Sequence, residues 1–399
     1  MVRGALCPGN RDLINAMNRN LLLNMIRREG QISRTQLTEM SGLSVGAVSG
    51  IINELLATDW VFATGEGDYT GGRRQTLLRL NPEAGYAVGL KLMEDRIVSA
   101  VTDFEATVLT HDEHPFTFDE DPDRVSNILA AVIETSMIRS GVSAEAFFGA
   151  GIGLAGVING HNGTVRYSPF FGWQDVPLAD LVNQRIHVPV FVENDVNALT
   201  ITEQLFGAGR RHQNFVVITV GRGIGMGAVI NGQLYQGSNG GAGEVGHIVI
   251  DGSGTEANQP VTLEALAADP ALLQKSTIES GTDHRSYADI EAVFEQAHAG
   301  DPAAQALLAH SGEWLGTGVA NVVNILAPEL IIISGEGVAA GAYRLDPMLA
   351  ALRRDSFDSL FDEVEVVVRA TDDQAWARGA ASLVLSKVFA SPALSAHIK

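Results

Sequence analysis

The strongest constraint on the fold of this chain is a β-hairpin pattern that occurs twice. Residues 86–92 and 97–104 are apolar, strand-length runs across a short polar turn, and residues 215–220 followed by 227–230 repeat the form. Such runs, bounded by turn residues, read as paired strands. Hairpins are common, so the repeat alone decides little. Its weight comes from the elements downstream of each copy. After the first come a helix over 122–140, a glycine-spaced strand and turn over 149–158, and a strand over 189–192. A helix over 196–206 then continues the chain, capped by Asn194 or Asp195. After the second come a helix over 302–323, a strand over 330–334, a helix over 345–361, a strand over 364–369 and a helix over 375–389. Two β-rich units, each followed by α/β crossovers, imply an α/β fold of two lobes around a cleft.

The N-terminus has a different pattern. Residues 17–28 put Leu21, Leu22, Met25 and Ile26 on one helical face, and Gly30 ends that helix. Ser33 suits the N-cap of a short helix over 34–40. Ser41-Gly42-Leu43-Ser44 is a tight turn, after which Ser44 caps a third helix over 45–58 with Val48, Ile51, Ile52, Leu55 and Leu56 inward. Two helices joined by a four-residue turn with glycine make a helix-turn-helix. Residues 60–64 and 76–80, joined through Gly65, Gly67, Gly71 and Gly72, add a wing, with Arg73 and Arg74 near its returning strand. Asn81-Pro82 is the expected boundary. It gives a winged helix-turn-helix over 1–82, a first lobe over 83–195 joined by the C-terminal helix 375–399, and a second lobe over 196–374.

Charge supports that division. The chain carries a formal net charge of −20, which is unusual for a protein that contacts nucleic acid. Through Leu80, however, nine Arg face seven acids, a balance of +2, and the remaining residues hold the entire deficit. An acidic body is repelled by phosphate, so DNA contact is expected through the N-terminal segment alone. The single cysteine, Cys7, excludes disulfide frameworks and cysteine-ligated zinc or iron–sulfur sites within one chain. No run approaches the ~20 apolar residues of a membrane span, and Arg3 has no long apolar core behind it. A soluble, cytoplasmic chain without a membrane partner is expected.

Several motifs carry a family resemblance. They are the run from Val220 to His247, with glycines at 221, 223, 225 and 227 and then Gly243-Glu244-Val245-Gly246-His247; Thr70-Gly-Gly-Arg-Arg with Thr76-Leu-Leu-Arg-Leu; Ser168-Pro169 with Gly172-Trp173; Glu193-Asn194-Asp195-Val196-Asn197-Ala198; and Phe206-Gly207-Ala208-Gly209. Together they are similar to the ROK family (repressors, open reading frames, kinases), and to its regulator branch, over nearly the whole chain. The resemblance implies the duplicated, actin-like sugar-kinase fold. It also implies that Asn194, Asp195, Glu244 and His247, with Glu264 in Thr262-Leu263-Glu264-Ala265, bind a sugar. In the kinase relatives the acid matching Asp195 is the general base. Carboxylates, an amide and an imidazole can satisfy several sugar hydroxyls with directional bonds. The plainer alternatives are that Asn194 and Asp195 only cap a helix, and that Glu244 and His247 sit in a polar loop.

Two departures from the family stand out. Kinases of this family carry Asp-x-Gly-x-Thr after the first strand, to hold phosphates and magnesium. Here the stretch is Gly89-Leu90-Lys91-Leu92-Met93-Glu94, and Arg222 replaces a small hydroxyl residue in the second phosphate loop. Bulky Leu92 and Met93 deny the close backbone approach that phosphates need. Asp195 is then a vestigial base without an organised phosphoryl donor, and the chain is expected not to be an enzyme. The family's zinc cysteines are also missing from 250–263, where Asp251 and Glu256 are read as solvated loop carboxylates. No metal and no cofactor are expected.

For DNA, the third helix would present Ser44, Val45, Ala47, Ser49 and Asn53. Arg34 would meet phosphate, and Arg73 and Arg74 would enter a minor groove, where arginine favours A·T tracts. The alternatives are a protein-docking winged domain and a merely solvated wing turn. The expectation is a sugar-responsive repressor of carbohydrate-utilisation genes, a homodimer or homotetramer on a palindromic operator with a small carbohydrate effector. Its rivals are an active ROK sugar kinase with an appended DNA-binding domain and a regulator controlled by a protein partner.

Overall fold

The computed structural model describes residues 11–66, 75–251, 261–278 and 287–390. Helix α1 spans Arg11–Glu29, starting ahead of the apolar stripe that announced it. Helix α2 (Arg34–Ser41) opens with a capping box. Ser33 Oγ accepts from the Gln36 amide while the Gln36 side chain accepts from the Ser33 amide, so two otherwise orphaned donors are satisfied. Gly42 ends α2 at φ 68°, a left-handed conformation that suits glycine. Ser44 caps α3 (Val45–Ala57) by accepting from the Ala47 amide. Strands β1 (Val61–Glu66) and β2 (Thr76–Leu80) form the wing, and Ile32–Ser33 pairs with β2 to complete a three-stranded sheet. Arg73 and Arg74 lie outside the described residues, as do Cys7 and Glu256.

Asn81 caps a short turn over Pro82–Ala84, and there is no loose tether beyond it. One apolar core runs from Leu22, Ile26, Leu55 and Leu80 into Phe104, Ala198, Leu205, Leu385 and Phe389. Trp60 packs edge-on against Phe104 at 5.4 Å. The Asn20 and Asn24 amides donate to the Phe389 carbonyl at 3.1 and 2.9 Å. The N-terminal domain is thus seated on the body by packing and by bonds to the backbone.

The body contains two sheets of identical topology. The first comprises β3 (Tyr86–Leu92), β4 (Arg96–Thr102), β5 (Val108–Pro115), β6 (Phe147–Leu154) and β7 (Val190–Asn194), in the order β7-β6-β3-β4-β5. The second comprises β8 (Phe215–Val220), β9 (Ile224–Ile230), β10 (Gln233–Leu234), β11 (Leu330–Ser334) and β12 (Glu365–Val368), in the order β10-β9-β8-β11-β12. In each, three strands form an antiparallel meander, and two more add in parallel on the other side of the first strand.

Helix α4 (Pro122–Ser140) covers the first sheet, and α6 (Pro302–Leu326) with α7 (Ala342–Asp355) covers the second. The expected helix over 345–361 is displaced and shorter. It stops at Ser356, whose hydroxyl donates to the Leu352 carbonyl at 2.7 Å, and residues 360–363 form a separate turn. Two further helices run from the cleft toward the N-terminal domain. Helix α5 (Asp195–Phe206) starts at the cleft and ends against α1. Helix α8 (Asp373–Phe389) lies across the first sheet, at Gly89 and Gly151, where a Cβ would collide with its backbone.

Candidate functional site

A cavity of about 540 Å³ lies between the lobes, and Asn194, Asp195, Glu244, His247 and Glu264 all line it. They come from three places. Strand β7 runs straight into α5 and delivers Asn194 and Asp195. Its partner β6 places Gly153 beside the start of α5, paired with Glu193 in the ladder. The glycine-rich segment after β10 delivers Glu244 and His247. The first turn of a short helix, Leu263–Ala267, delivers Glu264.

Asn194 is the N-cap of α5. Its Oδ1 accepts from the amides of Val196 (2.9 Å) and Asn197 (3.2 Å), and its Nδ2 donates to the Gly156 carbonyl at 3.0 Å. The capping alternative is therefore realised for Asn194 even as it borders the cavity. Asp195 Oδ1 accepts from the Val196 amide at 2.9 Å, and Oδ2 pairs with Lys91 Nζ. Glu264 is ordered without any cysteine. Its Oε2 accepts from the Ile224 amide at 2.9 Å, Thr262 caps its helix, and Val249–Asp251 pairs with Val261–Thr262 beneath it. His247 Nε2 stands 3.9 Å from Glu244 Oε2 and is largely solvent-exposed. Burial pushes the Glu244 carboxyl above the ordinary glutamate range; Glu264 and Asp195 add to that, and His247 opposes it.

Charge pairs line the rest of the cavity wall. The buried Lys91 ammonium also lies 4.8 Å over the Trp376 ring, whose Nε1 donates to Glu336 Oε1 at 3.0 Å. Arg222, from the β8–β9 turn, reaches across the cleft to Glu94 with two bonds of 3.0 Å and stacks on Phe170 at 5.5 Å. Sequence reasoning noted Lys91 and Arg222 as departures but missed Glu94, Phe170 and Trp376 as their partners, and Glu336 as the acceptor for Trp376. Nothing local marks these four roles; only the fold brings the residues within reach.

Behind the wall, Glu193 is buried and accepts from the Asn194 amide (2.9 Å), from Asn197 Nδ2 (3.1 Å) and from Gln236. Burial pushes its carboxyl up, against those hydrogen bonds.

Comparison with known proteins decides the kinship. Residues 87–387 match the ROK family, and residues 18–61 match a winged helix-turn-helix DNA-binding domain. The chain belongs to the ROK family. It is 31% identical over 374 residues to the xylose repressor of Bacillus spizizenii, covering 93% of this chain and 96% of that protein. A solved ROK family transcriptional regulator, described as a homolog of the E. coli MLC protein, superposes with a TM-score of 0.82 at 26% identity, over 97% of this chain and 100% of the other. A ROK family glucokinase from Streptomyces griseus, in complex with glucose and AMPPNP, superposes with a TM-score of 0.65 at 27% identity, over 75% of this chain and 99% of the other. The stretch in front of the kinase-like body is the winged domain, and this ROK protein is a DNA-binding transcriptional regulator.

On the winged domain, Ser44, Val45 and Asn53 are exposed along α3, while Ala47 and Ser49 are half-buried beside them. Arg34 does not extend freely from α2: its Nη2 donates to Asn53 Oδ1 at 2.8 Å. Among the described residues, no helix is long and apolar enough to cross a membrane.

Proposed function

We propose that this protein is a sugar-responsive repressor whose cleft binds an uncharged sugar and no longer transfers phosphate. The observation that carries the reading is the Lys91–Asp195 ion pair at the centre of a ROK cleft. A general base must be free to accept the hydroxyl proton. Here that carboxylate is held by an ammonium standing where phosphate and magnesium would need an acid. Phosphoryl transfer depends on a positioned, neutralised donor, and the cavity wall offers Leu92, Met93 and an Arg222 already bridged to Glu94 in place of a glycine-rich acidic loop.

Asp195, Glu244, Glu264 and His247 are the proposed effector contacts, with Asn194 holding the α5 N-terminus and bordering the ligand. The cavity wall carries Asp195, Glu244, Glu264, Glu94 and Glu336 against Lys91 and Arg222, both of which are already paired. That balance repels sugar phosphates and suits a neutral polyol. Relatives named xylose repressor make a neutral pentose the first candidate. Ligand contacts at Asp195 and near Trp376 bear on the first turns of α5 and α8, whose far ends hold α1. The cleft can thereby bias the setting of the winged domain. A homo-oligomer would place two such domains on a palindromic operator.

The test pairs two assays on the full-length chain. A thermal-shift screen over neutral pentoses, hexoses, polyols and sugar phosphates should show stabilisation by a neutral sugar, and that sugar should change affinity for DNA. A coupled ATP-consumption assay with the same panel should show no turnover; turnover at ordinary kinase rates sinks the reading.

A further inference from the structure

We infer that α3 reads its operator through a thymine methyl set against Val45, and not through hydrogen bonds to guanine. The inference rests on the assignment of the protein as a DNA-binding regulator and adds the chemistry of its base readout. In the major groove, guanine is read by Arg or Lys, adenine by a bidentate Asn or Gln, cytosine by Asp or Glu, and thymine by apolar contact with its methyl. Helix α3 contains no Lys, Arg or Gln. Its one amide, Asn53, has Oδ1 engaged by Arg34 at 2.8 Å, so the oxygen needed for bidentate adenine recognition is already bonded. Its one acid, Glu54, is drawn 3.6 Å from Arg19 of α1.

What remains exposed near the start of α3 is Ser44, Val45, Gly46 and Gly50, with Ser49 half-buried among them. Val45 sits in the first turn, the part of a recognition helix that meets base edges, and is 69% exposed. Val48, Ile52 and Leu55 are buried and anchor α3 on the domain, while Val45, at the first position of the helix, lies clear of that core. The two glycines are otherwise unexplained. Each lowers helicity by roughly 1 kcal/mol relative to alanine. A Cβ on either would meet nothing within 4 Å, so no protein neighbour demands their absence of a side chain. A smooth strip beside one projecting valine is a shape that lets a groove wall approach closely and buries a methyl against Val45.

The experiment first selects duplexes from a random DNA library with the full-length protein, then replaces each thymine of the recovered half-site by deoxyuridine, which removes only the methyl. One position per half-site should lose affinity by about fourfold, the size of one buried methyl. Placing 5-methylcytosine·G there should retain affinity better than C·G does. Val45→Ala should remove the sensitivity to deoxyuridine with its melting temperature unchanged. Deoxyuridine without effect at every thymine, or a Val45→Ala protein as sensitive as the parent, overturns the inference while DNA binding stands. Failure to recover any duplex overturns the regulator reading itself. Should Val45→Ala not fold, the deoxyuridine scan on the parent decides alone.

Discussion

The two lobes share a sheet, and their equivalent turns have gone in opposite directions. In the second lobe, β8 leads into Gly221-Arg222-Gly223, closed by the Gly221 amide on the Gly223 carbonyl at 3.0 Å. A Cβ on Gly221 would press on the Glu336 carboxylate and one on Gly223 on that of Glu264, so larger residues there would displace side chains that line the cavity. In the first lobe, β3 ends with Lys91 and Leu92, and the turn that follows begins with Met93 and Glu94, closed by the Met93 amide on the Arg96 carbonyl at 3.0 Å. That turn has no glycine; the last residues of the strand put an ammonium on Asp195 and the turn puts a carboxylate on Arg222. Strand pairing holds the scaffold regardless of which turn it carries. The two copies therefore differ at the ends of their first hairpins and not in their sheets, and the proposed loss of phosphate transfer would need no more than that.

The largest effect that tests this contrast is on Lys91. Lys91→Met strands the Asp195 carboxylate in the cleft wall and should cost about 3–5 kcal/mol in denaturant unfolding, the scale of breaking a buried pair from one side. Adding Asp195→Asn should recover most of it, because no orphaned charge remains. A single-variant loss under about 1 kcal/mol, the surface-pair scale, would mean that the pair is no more than a solvated contact.

The next effect belongs to the acids of the second lobe. Glu244→Ala removes a carboxylate from the proposed sugar contacts without touching the lobe I turn, and Glu264→Ala removes another while leaving the Ile224 amide unpaired. Each should weaken the stabilising sugar by roughly ten- to a hundredfold, since charge-assisted hydrogen bonds are worth about 1.5–3 kcal/mol. Glu264→Ala should also lower stability by about 1–3 kcal/mol for the orphaned amide. An unchanged thermal shift in both variants would move the effector elsewhere.

Smaller still is the bridge between the lobes. Arg222 is mostly exposed, so Arg222→Ala should cost no more than about 1 kcal/mol. Because the bridge spans the cleft, its loss should show up chiefly as altered sugar affinity with weaker salt dependence. A stability loss as large as that of Lys91→Met would place Arg222 in the core of the contrast instead of on its rim.

The parts of this molecule that were legible in the sequence are those whose signals are local. Ser33, Gly42 and Ser44 announce their own caps and turn, and the apolar runs of β3, β8 and β11 announce strands buried on both faces. Strand β5 carries no such signal: its residues alternate between half-buried and exposed, and Thr110, His111, Asp112 and Glu113 dilute its apolar content. The end of α7 is hidden because Leu360 and Phe361 continue the apolar pattern past the real stop at Ser356. Within the cleft, Asn194 to Glu264 were found through motif resemblance. The pairing of Lys91 with Asp195 and of Arg222 with Glu94 was not, and Trp376, far along the chain, reaches Lys91 only through the packing of α8 on the first sheet.

The gentlest probe of the second lobe's acids is pH, and it separates stability from ligand binding. The Glu244 carboxyl is pushed above its ordinary value, first by burial and then by Glu264 and Asp195. In the interval between the unfolded and the raised folded value, the folded chain therefore binds more proton than the unfolded one. Stability from this group must rise as pH falls through that interval and decline as pH rises through it. Sugar affinity should run the other way, because a protonated Glu244 loses its charge-assisted acceptance of a hydroxyl. Comparing the parent with Glu244→Gln removes the background of other carboxylates. The parent-minus-variant melting temperature should fall with rising pH, while the parent's sugar-induced shift grows. Two curves of the same sign would mean that Glu244 does not touch the sugar and acts only through its burial.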